Sequence, residues 1–248
     1  MMNRGLLAMF GLGLFVAIWE AAPASGLVST LFVPPPSLLP GAIWREITSG
    51  YWHEAVLASL GHYSLGLLLG TGIGVGLGVV TVLWPRLDEA LSWIIRLLRP
   101  IPGVAWVPFA IVWFGVSETA ATFIIVVGVL WLNFYATHAA VAAVDKDLLE
   151  LADAFGHSGA WAKLVKILLP AATAGILSGI RSGVGQGWMA VVTAELFGIP
   201  GLGQRMIQAS SLLATDVVVV YMVTIAALFG LTDMVFLLIR DRLLQWQR

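Results

Sequence analysis

The sequence contains no cysteine, few charged residues and no Gly-Lys pair, and each absence removes a class of function. Without cysteine the chain has no disulfides and no thiolate chemistry. Charged residues make up 11% of the 248 residues, against about 25% in soluble domains. Hydrophobic residues make up 59%, which is more than a soluble fold of this length can bury. The composition therefore predicts a protein whose main solvent is the lipid bilayer.

Nucleic acid and nucleotide binding are not indicated either. The net charge of −1 gives no reason to expect a nucleic-acid partner. The glycine-rich stretch 66–78 lacks the Gly-Lys pair and the βαβ context of a phosphate-binding loop, so any ATP must be bound by another polypeptide. Small residues on one helix face let a second helix approach closely, and packing is the favoured interpretation here. The glycines that recur every four residues are Gly66, Gly70, Gly74 and Gly78.

No catalytic or metal-binding pattern is present in the sequence. The stretch 156–160 resembles a nucleophile elbow, but Ala160 stands where the second glycine is required, and the preceding strand is missing. The four histidines have no metal-ligand spacing. We therefore expect neither a cofactor nor a metal on this chain, and an intramembrane enzyme remains only an alternative function.

Hydrophobic stretches predict an all-α polytopic membrane protein with five to six transmembrane helices, built as a single domain over residues 1–248. A cleaved signal peptide is the alternative for the first stretch, because residues 22–24 resemble a cleavage site. The third stretch is short and contains two prolines. It is either a kinked packing helix or a broken helix whose backbone faces protein or a water-filled path. The stretches are about 5–22, 57–83, 101–115, 119–143, 171–195 and 217–239.

Lysine and arginine predict the orientation of these spans. With six spans, ten basic residues fall on one side and two on the other, which places both termini in the cytoplasm. The cytoplasmic side then also receives the polar segment 145–170. The ten are Arg4, Arg86, Arg96, Arg99, Lys146, Lys163, Lys166, Arg240, Arg242 and Arg248, and the two are Arg45 and Arg205.

Polar side chains inside the predicted spans are candidates for a solute pathway, because charge in hydrocarbon is costly. Four candidates lie within the fifth span: Arg181, Ser182, Gln186 and Trp188. Glu195 closes that span and is a further candidate, with an interfacial carboxylate that reaches water as the alternative. For Arg181 the alternative is a structural ion pair with Asp233.

The polar segment 145–170 interrupts the apolar sequence and predicts two short helices joined by a glycine turn. In its second half, Trp161, Leu164, Val165 and Leu168 have helical spacing, which is typical of an amphipathic helix outside the membrane. A basic helix resting on anionic lipid is one interpretation. The four carboxylates of the first half favour a protein partner instead, since anionic headgroups would repel them.

These residues resemble a known family. The stretch 150–156, followed by Leu168-Leu169-Pro170, is similar to the cytoplasmic "EAA" loop of ABC-importer permeases. The stretches 100–115 and 175–206 resemble the nitrate/taurine/sulfonate (NitT/TauT) branch, so the resemblance covers about 60–245. Two departures are Leu151 inside the triplet and one extra residue between Gly156 and Pro170, which we expect the turn to absorb.

The resemblance implies a type I ABC importer permease fold in the bacterial plasma (inner) membrane, transporting a small anion such as a sulfonate, taurine or nitrate. It implies three partners: a second permease copy in a homodimer, a separate ATPase subunit that holds ATP and Mg, and an extracytoplasmic solute-binding protein. A membrane scaffold or receptor-like protein is the remaining alternative. The residues expected to couple to the ATPase are Glu150, Ala152, Asp153, Gly156, His157 and Pro170.

Overall fold

The computed structural model describes residues 4–26, 28–156 and 159–245, and all regular secondary structure in these ranges is helical. Short 3₁₀ turns lie at Pro36–Leu38 and Gly103–Trp106, and a π turn lies at Leu164–Leu168. The helices are α1 (Arg4–Ala24), α2 (Leu39–Thr48), α3 (Tyr51–Leu83), α4 (Pro85–Leu98), α5 (Val107–Phe114), α6 (Glu118–Ala142), α7 (Lys146–Ala154), α8 (Ala160–Lys163), α9 (Leu169–Glu195), α10 (Leu202–Ser211) and α11 (Thr215–Leu243).

Five helical stretches are long and apolar enough to cross a membrane, which confirms five of the predicted spans. Four of them extend two to eleven residues beyond the range predicted from hydropathy at one or both ends, whereas Glu118–Ala142 is shifted from its predicted range by one residue. The difference arises because helical hydrogen bonding continues into polar residues that water or headgroups can solvate. The stretches are Gly5–Ala24, Tyr51–Leu83, Glu118–Ala142, Ala160–Glu195 and Thr215–Leu243.

The third predicted span is a broken helix. The 3₁₀ turn and α5 together contain 12 residues, or about 18 Å at 1.5 Å per residue, so this helix alone does not cross a core of roughly 30 Å. It is bent by 93° from α4 across a short break. Pro102 has extended backbone at the break, and Gly115, with φ of 70°, ends α5. Proline has no amide hydrogen to donate, which explains why the helix is interrupted here.

Helix α4 is an amphipathic helix that hydropathy did not reveal. It begins with Pro85 in its first turn, a position where the missing amide hydrogen has no cost. Ile95 is buried, whereas Trp93 and Leu97 are exposed on the surface of the isolated chain. The sequence analysis assigned no helix to these residues, which lie between the predicted spans 57–83 and 101–115.

The described residues divide into two compact units, which we describe separately. One comprises Met1–Ser59 and Pro200–Ala227. Its buried carboxylate, Glu46, accepts hydrogen bonds from Arg205 at 2.9 Å and from the Tyr221 hydroxyl at 2.5 Å. Burial by itself lowers the pKa of Arg205, but the hydrogen bond and charge of Glu46 raise it, and the net pKa lies above its ordinary value. The Arg205 guanidinium therefore stays charged beside its carboxylate.

The other unit comprises Leu60–Ile199 and Leu228–Arg248 and is built around α6. The glycine face of α3 packs against α6, as predicted. A Cβ added at Gly74 would lie 2.5 Å from the Leu130 carbonyl oxygen, and one at Gly78 would lie 2.8 Å from that of Phe134. On α9, Gly179 brings a second helix equally close, since its added Cβ would lie 2.3 Å from the Cβ of Ala136. Small residues thus set both helix separations.

Candidate coupling surface and solute pathway

The first half of the polar segment forms a helix, as predicted, and the structure shows that this helix has an N-cap. The Asp145 carboxylate accepts a hydrogen bond from the Asp147 amide at 3.0 Å, which satisfies a free N–H at the start of α7. Gly156 follows the helix with φ of +81°, a left-handed conformation that favours glycine. His157, the next predicted coupling residue, lies outside the described residues. The glycine turn therefore begins where the sequence places it.

The second half differs from the prediction of a separate amphipathic helix. Ala160–Glu195 is one helical stretch of 36 residues that continues into the fifth span. Pro170 lies in the first turn of α9, but the helix does not end before it. The π turn explains the continuity: the Leu169 amide donates to the Leu164 carbonyl, five residues back. A proline without an amide hydrogen is then accommodated after a wider turn.

This helical segment is anchored on a buried cluster at one end of the unit. Leu164 and Leu168 pack with Val79 of α3, Val141 of α6 and Ala172 of α9. Leu149, Val144 and Leu83 surround the same cluster. The segment is therefore in direct contact with the ends of three membrane-spanning helices.

The predicted coupling residues take different environments within this arrangement. Ala152 is buried, whereas Glu150 and Gly156 are exposed and Pro170 is half-buried. Asp153 accepts from the Lys163 ammonium at 2.7 Å, which ties α7 to α8. Glu150, like Asp147, is an exposed carboxylate that can meet a partner.

Large apolar side chains are exposed beside these carboxylates. Phe155 is 74% and Trp161 76% exposed, and Leu148 and Leu151 are also exposed. The sequence analysis assigned Trp161 to an amphipathic face and gave no role to Phe155. The available signal was the presence of large apolar residues in the most polar stretch of the chain. We call Leu148, Glu150, Leu151, Phe155 and Trp161 the coupling surface.

Arg181, the predicted cation of the pathway, forms an ion pair. Its Nε and a terminal nitrogen donate to the two carboxylate oxygens of Asp233 at 2.9 and 3.0 Å. This geometry is the bidentate arrangement that arginine makes with carboxylates. The structural ion pair, one of the two alternatives for Arg181, is therefore present. Ser182, its neighbour, is exposed and donates to the Ser178 carbonyl.

Two other predicted pathway residues lie inside the helix packing. Trp188 is 3% exposed, stacks on Tyr63 with ring centroids 4.5 Å apart, and donates to the Thr232 hydroxyl at 3.1 Å. Glu195 is fully buried, and one of its oxygens lies 3.0 Å from His62 Nδ1. The alternative of an interfacial carboxylate reaching water was wrong for Glu195, because neighbouring helices cover it.

Gln186 is the predicted pathway residue that lines a cavity beside the broken helix. The cavity has a volume of about 260 Å³. Three further polar or aromatic side chains line it: Arg99, Trp131 and Tyr135. Irregular backbone at residues 101–103 forms one wall, which agrees with a broken helix facing a cavity rather than lipid. Arg181 lines a different cavity, of about 400 Å³, together with Arg240 and Asp241.

The chain matches the family model described as "Binding-protein-dependent transport system inner membrane component" over residues 66–248. It is 30% identical over 234 residues to the putative aliphatic sulfonates transport permease protein of Bacillus subtilis, covering 94% of this chain and 84% of that one. It is 31% identical over 241 residues to the taurine transport system permease protein of Escherichia coli, covering 95% and 87%.

Similarity extends to a bicarbonate transport system permease protein of Synechocystis, with 29% identity over 79% of this chain and 73% of that one. Among solved structures, an inward-facing conformation of the MetNI methionine ABC transporter matches with a TM-score of 0.63. That match has 21% identity and covers 79% of this chain and 95% of the other, so it shows a shared fold.

Proposed function

The chain belongs to the family of binding-protein-dependent transport system inner membrane components, and on that basis we propose how it couples energy to transport. It is a multi-pass inner-membrane permease subunit of an ABC importer. We propose that residues 145–170 dock a separate cytoplasmic ATPase subunit, and that two permease copies and an external solute-binding protein complete the importer. ATP and Mg would be held by the ATPase subunit.

The observation that carries this proposal is the coupling surface. Exposed apolar side chains rimmed by polar ones are typical of protein interaction sites. Phe155 and Trp161 provide the apolar part, and Glu150 provides a carboxylate that is exposed to a partner. Anionic headgroups would repel the carboxylates of this segment, which favours a protein with a basic groove over the lipid surface.

The anchoring of the segment supports mechanical coupling. A force on the coupling surface would reach the buried cluster that contains Leu164 and Leu168. Through this cluster it would reach Val79 of α3 and Val141 of α6. Packed interiors transmit displacement because they have little free volume. Closure of the ATPase pair would thereby tilt the helices as rigid bodies and open the path alternately to each side.

Glu150→Lys tests this proposal, with Glu89→Lys as its matched control. Both positions are exposed carboxylates on helices outside the five long apolar stretches. We expect Glu150→Lys to abolish solute uptake and co-purification of the ATPase while membrane insertion is unchanged. Glu89→Lys should retain both solute uptake and co-purification of the ATPase. Normal uptake with ATPase bound in a one-to-one ratio in Glu150→Lys would contradict the coupling role.

We further propose that the solute is a small anion, such as a sulfonate, taurine or nitrate. The relatives named for aliphatic sulfonates, taurine and bicarbonate support this class. Growth on an alkanesulfonate as the sole sulfur source, compared with a strain lacking this chain, measures the expected import. Growth that is equal in the two strains would contradict the sulfonate assignment.

A further inference from the structure

The cavity beside the broken helix reaches the middle of the membrane-spanning part on one side, and on the other Tyr135 lines it seven residues, or about 10 Å, before the end of α6. Gly128 lines it, ten residues into α6, or about 15 Å from the start of that helix. Gln186 lines it from α9, nine residues or about 13 Å before the end of that helix. The membrane core is roughly 30 Å thick, so both positions correspond to about half its depth.

The polar groups of this cavity are donors that suit an anion. Arg99 contributes a guanidinium group and lies over the Tyr135 ring, 4.3 Å from its centroid. The Trp131 indole nitrogen is buried and has no hydrogen-bond partner within the described part of the chain. An indole N–H can only donate, and leaving it without an acceptor costs free energy. The Gln186 amide offers a further donor.

The charge of Arg99 is available because no carboxylate among the described residues forms a salt bridge with it. By contrast, the arginines of the larger cavity are both paired, Arg181 with Asp233 and Arg240 with Asp241. An anion in the larger cavity would compete with the carboxylate that is already paired with each arginine. In the smaller cavity an anion would gain a partner without displacing one.

The remaining walls are apolar. Ile101, Val127 and Leu132 line the same cavity as the donors. A ligand with a compact anionic head and a short hydrocarbon tail would therefore match both the donors and the apolar wall. The cavity volume of about 260 Å³ is sufficient for a small solute of this kind.

We propose that this cavity binds the transported anion within the permease, with Arg99, Trp131 and Gln186 holding the anionic head and the apolar wall holding a short tail. This assignment rests on the proposed import of a small anion. It makes Arg99 and Trp131 determinants of solute specificity in addition to the external binding protein.

Equilibrium binding of radiolabelled butanesulfonate to the purified permease tests the proposal. We expect Arg99→Gln to weaken binding roughly 10- to 100-fold, because it removes a charge-assisted hydrogen bond. Arg99→Lys keeps the charge and should lose less affinity than Arg99→Gln. Trp131→Phe removes only the N–H donor and should weaken binding several-fold. Uncharged butanesulfonamide should not compete with the labelled anion.

Arg96→Gln is the matched control. Arg96 lies three residues before Arg99 and also sits over an aromatic ring, that of Trp93, but it does not line the cavity. The Arg96→Gln variant should bind butanesulfonate with the affinity of the unmodified chain. Equal affinities in the unmodified chain and Arg99→Gln, no binding to the unmodified chain, or competition by butanesulfonamide would each overturn the proposal.

A second measurement separates this proposal from the coupling mechanism. In the reconstituted complex, Arg99→Gln should retain ATPase subunits at the unmodified ratio, since the coupling surface is unchanged. Loss of butanesulfonate binding with the ATPase still attached supports the cavity. Loss of the attached ATPase in Arg99→Gln would instead indicate a general structural defect and contradict a role confined to the solute.

Discussion

Replacing Gly74 with alanine changes the contact that sets the distance between α3 and α6. The added Cβ would lie 2.5 Å from the Leu130 carbonyl oxygen and 2.9 Å from the Asn133 Cβ. The first distance is 0.9 Å inside the 3.4 Å at which ordinary van der Waals contact begins. Because the nearest atom belongs to the backbone, no side-chain rotation relieves the overlap, and the two helices must separate.

The expected magnitude follows from two opposing effects. Overpacking of a well-packed interior typically costs about 1–3 kcal/mol. Alanine is intrinsically better than glycine in a helix by up to about 1 kcal/mol, which offsets part of that cost. We therefore expect Gly74→Ala to lower the stability by roughly 1–2 kcal/mol. The matched control is Gly72→Ala, because an added Cβ at Gly72 has no atom within 4 Å.

The assay is thermal unfolding of the two purified variants in the same detergent, together with solute uptake in cells. Gly72→Ala should unfold at or above the temperature of the unmodified chain and transport normally. Gly74→Ala should unfold at a lower temperature. Equal unfolding temperatures for the two variants would refute the argument that the glycine face determines the helix separation.

Two further predictions test charge pairs. Glu46→Ala leaves Arg205 partly buried without its carboxylate, so we expect a loss of about 1–3 kcal/mol in unfolding experiments. Glu54→Ala, which removes an exposed carboxylate of the same unit, should have little effect, and equal losses would contradict the buried pair. Arg181→Gln and Asp233→Asn should each reduce uptake, and combining them should restore part of it. If the double variant takes up no more solute than the less active single variant, the pair does not act through mutual neutralisation of charge.

The structure separates residues that the sequence places together. Arg181, Ser182, Gln186 and Trp188 occupy two turns of one helix and were assigned to one pathway. Arg181 and Trp188 are seven residues apart and share a helix face, on which they meet Asp233 and Thr232 of α11. Gln186 faces another direction and lines the cavity. Which neighbour each side chain meets depends on helices far away in sequence.

The cavity itself was beyond sequence analysis for the same reason. Arg99 follows α4, Trp131 lies in α6 and Gln186 lies in α9, and no local pattern relates these positions. The broken helix could be suspected from its prolines. The side chains that its irregular backbone would meet could not be named before the helices were packed.

The sequence by itself determined the membrane environment, five of the spans, the glycine packing face and the family, because hydropathy, small-residue spacing and ordered motifs are local properties of the chain. Only the tertiary structure decided that Arg181 is neutralised, that Glu195 is buried beside His62, and that α8 continues into α9 through a π turn. These outcomes depend on contacts between distant segments, whose free energies are set by burial and geometry once the helices pack together.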